Sequence, residues 1–292
     1  MHSHWILRTR SLVLGERTLI MGIVNVTPDS FSDGRQFFAP AAAVAHAIGL
    51  LAAGADILDI GGESTRPGTA RTVSAEEEKR RVLPVIEAVV KQAPHAVISV
   101  DTYKAETAAA ALDAGAEIIN DVSGFTWDEQ MLSLLARRAC GCVLMHTRGH
   151  PDEWRNLPRL GAEEVIPMVI SSLRRLTQRA LDAGIAKERL VLDPGFGFGK
   201  RLEENYPLLA HFADLQELGF PLLSGPSRKS FLRRMIERDG NDVACALEAA
   251  TTAAVTVNIL QGGQIVRVHD VASAVAAAKV ADVVRRENRR GG

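Results

Sequence analysis

At 292 residues, 47% hydrophobic and 24% charged, with a formal net charge of −1, the chain suits one large domain or two small ones, and nothing in its charge suggests a nucleic-acid partner. Three cysteines, Cys140, Cys142 and Cys245, make no disulfide framework, which fits a reducing cytoplasm. No apolar run has the length of a membrane span, and the N-terminus "MHSHWILRTRSLVLGER" lacks the apolar core and small-residue cleavage site of a secretion signal.

The first predicted strand is "LIMGIVNVT" (19–27), which carries Asn25 and opens into the loop "TPDSFSDGRQF" (27–37). "DILDIGGES" (56–64) follows and leads into "GGESTRPGTART" (61–72), with a Pro67-Gly68 turn signal. "SAEEEKRRVLPVIEAVV" (74–90) is the first strong helix. Ser74 and Glu77 have capping-box spacing, Val82, Val85, Ile86 and Val89 share a face, and Pro84 is expected to kink or restart the helix. "VISVDT" (97–102) precedes the alanine-rich helix "KAETAAAALDAG", which should stop at Gly115. "EIINDVSG" (117–124) and "CVLMHTRG" (142–149) are the next strands. "EEVIPMVISSLRRLTQRALDAG" then places Val165, Val169, Leu173 and Leu176 on one stripe and stops at Gly184. "LVLDPG" (190–195) runs into "DPGFGFGK", and "FPLLSGPS" (220–227) into "SGPSRKS", where Ser227 reads as an N-cap with Lys229 and Ser230 in the first turn. "IVRVHDV" (265–271) is the eighth strand, and "VASAVAAAKVADVVRRE" the closing helix.

Unbroken apolar strands alternating with helices are buried on both faces and joined by right-handed crossovers. Eight such units predict a (β/α)₈ TIM barrel as a single domain over residues 1–292, with a doubly wound open sheet as the alternative. A barrel keeps its active site at the C-terminal strand ends. There the chain holds Asn25, Asp101, Asn120, His146, Asp193, Lys229, Arg267 and His269. Each alone could be a turn or cap residue; polar groups at nearly every strand end point to a site instead.

Asp101, Asn120 and Asp193 supply two carboxylates and an amide, which suits a ligand rich in N–H donors, such as a pterin or purine ring. Arg267 and His269 lie two apart on a strand and so share a face. They suit an anionic leaving group or a flat ring stacked on the guanidinium; a buried ion pair of Arg267 with Asp270 is the structural alternative. The start of the "SRKS" helix suits an anion. No His/Cys cluster has zinc spacing, so any metal should be a hard ion on oxygen ligands. "DPGFGFGK" fails both phosphate-loop spacings, because Gly195 and Gly199 have three residues between them and Arg201 follows Lys200. Lys200 is therefore assigned no role, whereas Gly195 and Gly197 should let the backbone approach a flat ring.

The ordered set "MGIVNVTPDSFSDG", "GGESTRPG", "SVDT", "INDVSG", "DPGFGFGK", "SRKS" and "RVHD" resembles the dihydropteroate synthases of folate biosynthesis over nearly the whole chain. The resemblance implies a transferase that joins 4-aminobenzoate to (7,8-dihydropterin-6-yl)methyl diphosphate, forming 7,8-dihydropteroate and diphosphate. It implies that Asp101, Asn120, Asp193 and Lys229 hold the pterin, that Met145 and Phe198 pack beside it, and that Arg267 stacks on its ring. Thr65, Arg267 and His269 match diphosphate-binding positions. Phe31, Pro67 and Ser230 match positions around 4-aminobenzoate. Arg66 matches a loop arginine that helps assemble the site, and Asn25 a ligand of Mg²⁺. A homodimer in the cytoplasm is the implied setting, and sulfonamides are the implied inhibitors.

Two positions depart from the family pattern: Arg35 replaces the second glycine of "SFSDGG", and Thr147 stands where methionine is common. Neither removes a proposed catalytic group. Two rival readings remain: a pterin-dependent methyl transferase to a corrinoid protein, which would have no use for "STRPG" and "SRKS", and a non-catalytic paralogue, which should have lost loop or anion-site residues.

Overall fold

The structure is a computed structural model that describes residues 3–27, 39–64, 72–237 and 243–290. Every predicted strand is present: β3 (Leu19–Asn25), β4 (Ile57–Gly61), β5 (Val97–Asp101), β6 (Ile118–Asp121), β7 (Gly141–Met145), β8 (Leu190–Asp193), β9 (Leu223–Ser224) and β10 (Ile265–Val268). They form one parallel sheet in the order β8-β7-β6-β5-β4-β3-β10-β9. A parallel bridge from Leu192 to Leu222 brings β8 against the β9 segment and closes the barrel.

Strand periodicity sorts the side chains into two sets. Ile20, Val24, Leu58, Ile60, Ile98, Val100, Ile119, Leu144, Leu192 and Val266 are buried in the outer cluster they share with the helices. Met21, Ile57, Val97, Ile118, Val143, Val191, Leu223 and Ile265 form a second buried cluster inside the barrel. Below it, β1 (Ser3–Ile6) and β2 (Ser11–Leu14) make an antiparallel hairpin that plugs the barrel's lower end, an element that no motif of the sequence announces. Trp5, Leu7 and Leu14 of this plug are buried in the inner cluster, and the Trp5 indole donates to the Arg189 carbonyl at 2.9 Å. Truncating a buried tryptophan costs about 3–5 kcal/mol, so the plug is part of the core.

The helices are α1 (Ala39–Ala52), α2 (Ala75–Gln92), α3 (Ala105–Asp113), α4 (Glu129–Arg137), α5 (Ala162–Asp182), α6 (Asn205–Ala210), α7 (Ser230–Ile236), α8 (Val243–Leu260) and α9 (Val271–Arg290). In α2, Val82, Val85, Ile86 and Val89 are buried as the periodicity requires. The helix does not restart at Pro84: α2 runs as one element across it. A proline ten residues into a helix leaves one i−4 carbonyl without its donor; here the buried face and a well-capped start hold the element together. Ser74 accepts from the Glu77 amide at 3.2 Å, while the Glu77 carboxylate turns to Arg80 and Arg81. Gly115 and Gly184 terminate α3 and α5 with φ of 114° and 94°, as the glycine stop signals predict.

α8 bears on the expectation that no apolar run has the length of a membrane span. Its 18 residues reach a mean hydropathy of 1.6, which length and composition allow for a span. The helix packs on the barrel instead: Leu247, Thr251, Ala254, Val255, Asn258 and Ile259 are buried, and Asn258 donates to the Ser224 hydroxyl of β9. Cys140 and Cys142 are buried and Cys245 is exposed, all as free thiols.

Candidate functional site

The inner cluster fixes where the site begins. Moving two residues along each strand from that apolar layer gives Ile23, Asp59, Ser99, Asn120, Met145, Asp193, Gly225 and Arg267, one from each strand or its end. One layer is wholly apolar, and the next carries three charges and an amide. Above it opens a cavity of about 530 Å³, lined by Asn25, Asp101, Phe198, Ser227, Lys229, Ser230, Arg267 and His269 among others. A narrow cleft of about 20 Å³ leads deeper, between Asn120, Val122, Met145, Asp193, Gly195, Phe198, Lys229 and Arg267. Seven of the eight strand-end residues thus converge on one place.

His146 is the exception. It is buried, lines neither cavity, and its Nδ1 has no partner among the described residues. Burial pushes its imidazole well below the usual range, so it is neutral. Phe31, Arg35, Thr65, Arg66 and Pro67 lie outside the described residues.

Arg267 stands at the centre and settles the ion-pair question against Asp270. Its Nε donates to Asp59 Oδ2 at 2.6 Å and its Nη2 to Asp101 Oδ2 at 2.7 Å. Asp270 instead accepts from Ser273 at the start of α9. Burial works against the guanidinium charge, but Asp59 and Asp101 outweigh it and hold Arg267 above its ordinary range. Burial pushes the Asp101 carboxyl up to about 7, with Arg267 opposing and Asp59 reinforcing the rise. Burial also raises Asp193, against the pull of the Gly195 amide, which donates to its Oδ1 at 2.7 Å.

The "DPGFGFGK" loop owes its glycines to close packing. At Gly195, φ is 69°, and a Cβ there would sit 2.0 Å from the His146 carbonyl oxygen, so only glycine fits. The chain can then turn back beneath Asp193, with Gly195 on the cleft and Gly197 on the cavity. Lys200 has a role that its motif did not suggest. It is 5% exposed, and its Nζ donates to the Gly195 carbonyl at 2.7 Å and the Phe198 carbonyl at 3.4 Å. Burial pushes its ammonium down to about 7. It is a strut inside the loop and lines neither cavity.

Phe198 packs between two neighbours. Lys229 Nζ lies 4.1 Å over its ring, and Trp154 meets it edge-on at 5.5 Å. The "SRKS" segment differs in detail from its predicted form. The N-cap of α7 is Lys229, without a side-chain cap, and Ser230 is the first helical residue. Ser227 pairs with His269 instead, its Oγ 2.9 Å from the ring Nδ1. The hydroxyl fills His269's inner nitrogen and fixes how the ring faces the cavity.

Sequence reasoning missed Asp59, Ser227 and Trp154. Asp59 had a signal: it is the one charged residue inside "ILDIG", at inward parity with Ile57. Trp154 had none, because its wall comes from the irregular segment after β7. Among the described residues no group of three His, Cys, Asp or Glu could hold a metal. Asn25 lines the cavity, and its amide carries one oxygen donor for a metal. A hard cation that takes its remaining ligands from phosphate and water fits such a donor; a soft, fully protein-bound one does not.

Comparisons with known proteins agree with this geometry. The family described as pterin-binding enzymes matches residues 21–269. A dihydropteroate synthase of Synechocystis sp. is 42% identical over 277 residues, covering 93% of this chain and 92% of its own. The Xanthomonas albilineans dihydropteroate synthase with 4-aminobenzoic acid superposes with a TM-score of 0.88 at 43% identity, covering 98% and 99% of the two chains. The same enzyme in complex with 7,8-dihydropteroate gives a TM-score of 0.80 at 42% identity over 94% and 96%.

Proposed function

The chain belongs to the pterin-binding enzyme family as a dihydropteroate synthase, and we propose that the cavity above the barrel's apolar layer is where it works. The reaction joins 4-aminobenzoate to (7,8-dihydropterin-6-yl)methyl diphosphate. The bond from the pterin methylene to the diphosphate oxygen breaks, and the electron pair leaves with diphosphate. The arylamine nitrogen bonds to the methylene and loses a proton, giving 7,8-dihydropteroate.

The observation that carries the residue assignment is the polar layer and the rim above it, with Asp193 and Asn120 in the deep cleft, Asp101 and His269 at the cavity, and Arg267 bordering both. In this reading Asp193, Asn120 and Asp101 accept from the N–H groups of the pterin, and Lys229 donates to its carbonyl side. Met145 and Phe198 flank the ring, and Arg267 lies against its face. Arg267 and His269 receive the diphosphate, with Thr65 from the neighbouring loop. Ser230 opens the 4-aminobenzoate pocket, with Phe31 and Pro67 completing it and Arg66 helping to assemble it. Carboxylates beside the ring stabilise positive charge on the pterin as diphosphate departs, and Arg267 and His269 stabilise the departing anion. A neutral arylamine is already a nucleophile, so no strong base is required.

Asn25 would hold Mg²⁺, whose charge would offset that of the diphosphate. The exposed apolar residues Val257 and Leu260 of α8 and Val280, Val283 and Val284 of α9 support a homodimer through these helices. The three free cysteines fit a cytoplasmic setting.

The test is direct. Purified protein with Mg²⁺ should form dihydropteroate from the two substrates, and sulfonamides should compete with 4-aminobenzoate. Pterin binding without product at saturating substrates would reject the assignment in favour of a non-catalytic paralogue.

A further inference from the structure

We propose that Asp59 is a positioning residue of this site: it locks Arg267 and Asn120 against each other, so that the guanidinium offers a fixed face and the amide offers its oxygen to the ring. The inference rests on the pterin reading above. Asp59 is fully buried in mid-β4 and lines neither cavity, so it acts only through its partners. Its Oδ2 accepts from Arg267 Nε at 2.6 Å and from Asn120 Nδ2 at 3.0 Å. Arg267 is held at a second point by Asp101, at 2.7 Å. Two carboxylates on different nitrogens stop rotation of the guanidinium plane.

The consequence for Asn120 is sharper. Only the NH₂ end of an amide can donate to a carboxylate, so the bond to Asp59 decides which way the amide faces. Its oxygen is thereby the acceptor presented to the cleft, as a ring N–H requires. Were Asp59 turned away, the amide could flip and present donors to donors.

Neutralising Arg267 does not by itself explain Asp59, because Asp101 already pairs with the same guanidinium. Nor does packing explain it, since the layer beneath is entirely apolar and the other carboxylate oxygen, Oδ1, has no partner among the described residues. A buried pair of this kind is weak support for stability. Its geometric effect is to fix two ligand groups at once.

The test is Asp59→Asn, which keeps the volume and removes the charge. The probe is 6-hydroxymethylpterin, titrated by its own fluorescence, with steady-state kinetics for both substrates and circular dichroism to confirm folding. The dissociation constant for the pterin and the KM for the pterin substrate should rise about tenfold or more, while the KM for the arylamine substrate stays within about twofold. A folded Asp59→Asn protein with unchanged pterin affinity overturns the inference, and so does an equal rise in both KM values. If this variant fails to fold, the comparison is made in an Arg267→Met background, where no guanidinium is left unpaired. There Asp59→Leu, which removes the acceptor of the Asn120 amide, should weaken the pterin about threefold or more, and no further loss would overturn the proposal. A wild-type protein that does not bind the pterin would instead sink the pterin reading itself.

Discussion

Lys200 makes a prediction whose sign is not intuitive. Its ammonium is 5% exposed, and burial pushes it down from its ordinary value of 10.5 to about 7, with Asp193 pulling the other way. Below about pH 7 the lysine is charged in both the folded and the unfolded chain, and the burial cost is constant. Between about 7 and 10.5 the unfolded chain holds a proton that the folded one has released. Stability therefore rises with pH across that window, by at most ~1.4 kcal/mol per pH unit. Lys200→Met cannot titrate. Its loss of the bonds to the Gly195 and Phe198 carbonyls should thus look mild near neutrality and severe at high pH. Equilibrium urea unfolding of both proteins at about pH 7.5 and about pH 9.5 reads the difference. The wild type should gain ~2 kcal/mol relative to the variant over that interval. That range lies above the titrations of Asp101 and Asp121, both raised by burial to about 7, so their contributions are largely complete. A stability difference that moves by less than ~0.5 kcal/mol would refute the buried, neutral amine.

Asp193→Asn should weaken pterin binding and turnover by at least about tenfold while the barrel stays folded, because asparagine keeps the acceptor for the Gly195 amide; near-normal kinetics would remove Asp193 from the site. Gly195→Ala should cost ~3 kcal/mol or more, since its Cβ would lie 2.0 Å from a backbone oxygen at positive φ, and a thermal midpoint within a degree or two of wild type would contradict the loop geometry. Asp101 is raised to about 7 and acts as the ionised partner of Arg267, so pterin affinity should fall as pH drops below about 7; a profile that stays flat well into the acid range argues against that role. Asn25→Ala should raise the KM for the pterin diphosphate and leave the affinity for 6-hydroxymethylpterin unchanged, and equal losses for both would dissociate Asn25 from the metal and diphosphate.

Most of this was legible because strands report their burial directly. An apolar run with one polar residue at its end, repeated eight times, places those residues on one rim whatever the loops do. The same logic failed where geometry rather than residue type decides. Ser227 looks like a cap, but the turn before α7 is set by Lys229 in an extended conformation and Arg228 at a φ of 55°, so the cap falls two residues later. His146 has the same credentials as Asp193, yet its side chain lines neither the cleft nor the cavity, and its carbonyl packs on Gly195. Lys200 has a role that no motif spacing reveals. Its motif is not a phosphate loop, but its burial between two carbonyls follows from the glycines that make the chain double back. The hairpin that carries Trp5 is too short for periodicity to show.

The polar layer also explains why burial and catalysis are compatible here. Three carboxylates, Asp59, Asp101 and Asp193, lie near the cations Arg267, Lys229 and Lys200, in a region where burial pushes Asp101 and Asp193 upward. Carboxylate charge in a poorly solvated slot is unfavourable in the resting protein. It becomes favourable when the ring in that slot turns positive, because the same low polarisability that raises the carboxyls strengthens their attraction for a new cation. The departing diphosphate needs the opposite field only a short distance away. Arg267 can serve both ends because Asp59 and Asp101 hold its Nε and one Nη while it borders both the cleft and the cavity. Replacing Arg267 by lysine would keep a charge but lose the second anchor and the flat face. Arg267→Lys should therefore lower kcat and weaken the pterin together, and a variant that changed only the affinity for diphosphate would show that the planar contact is not used.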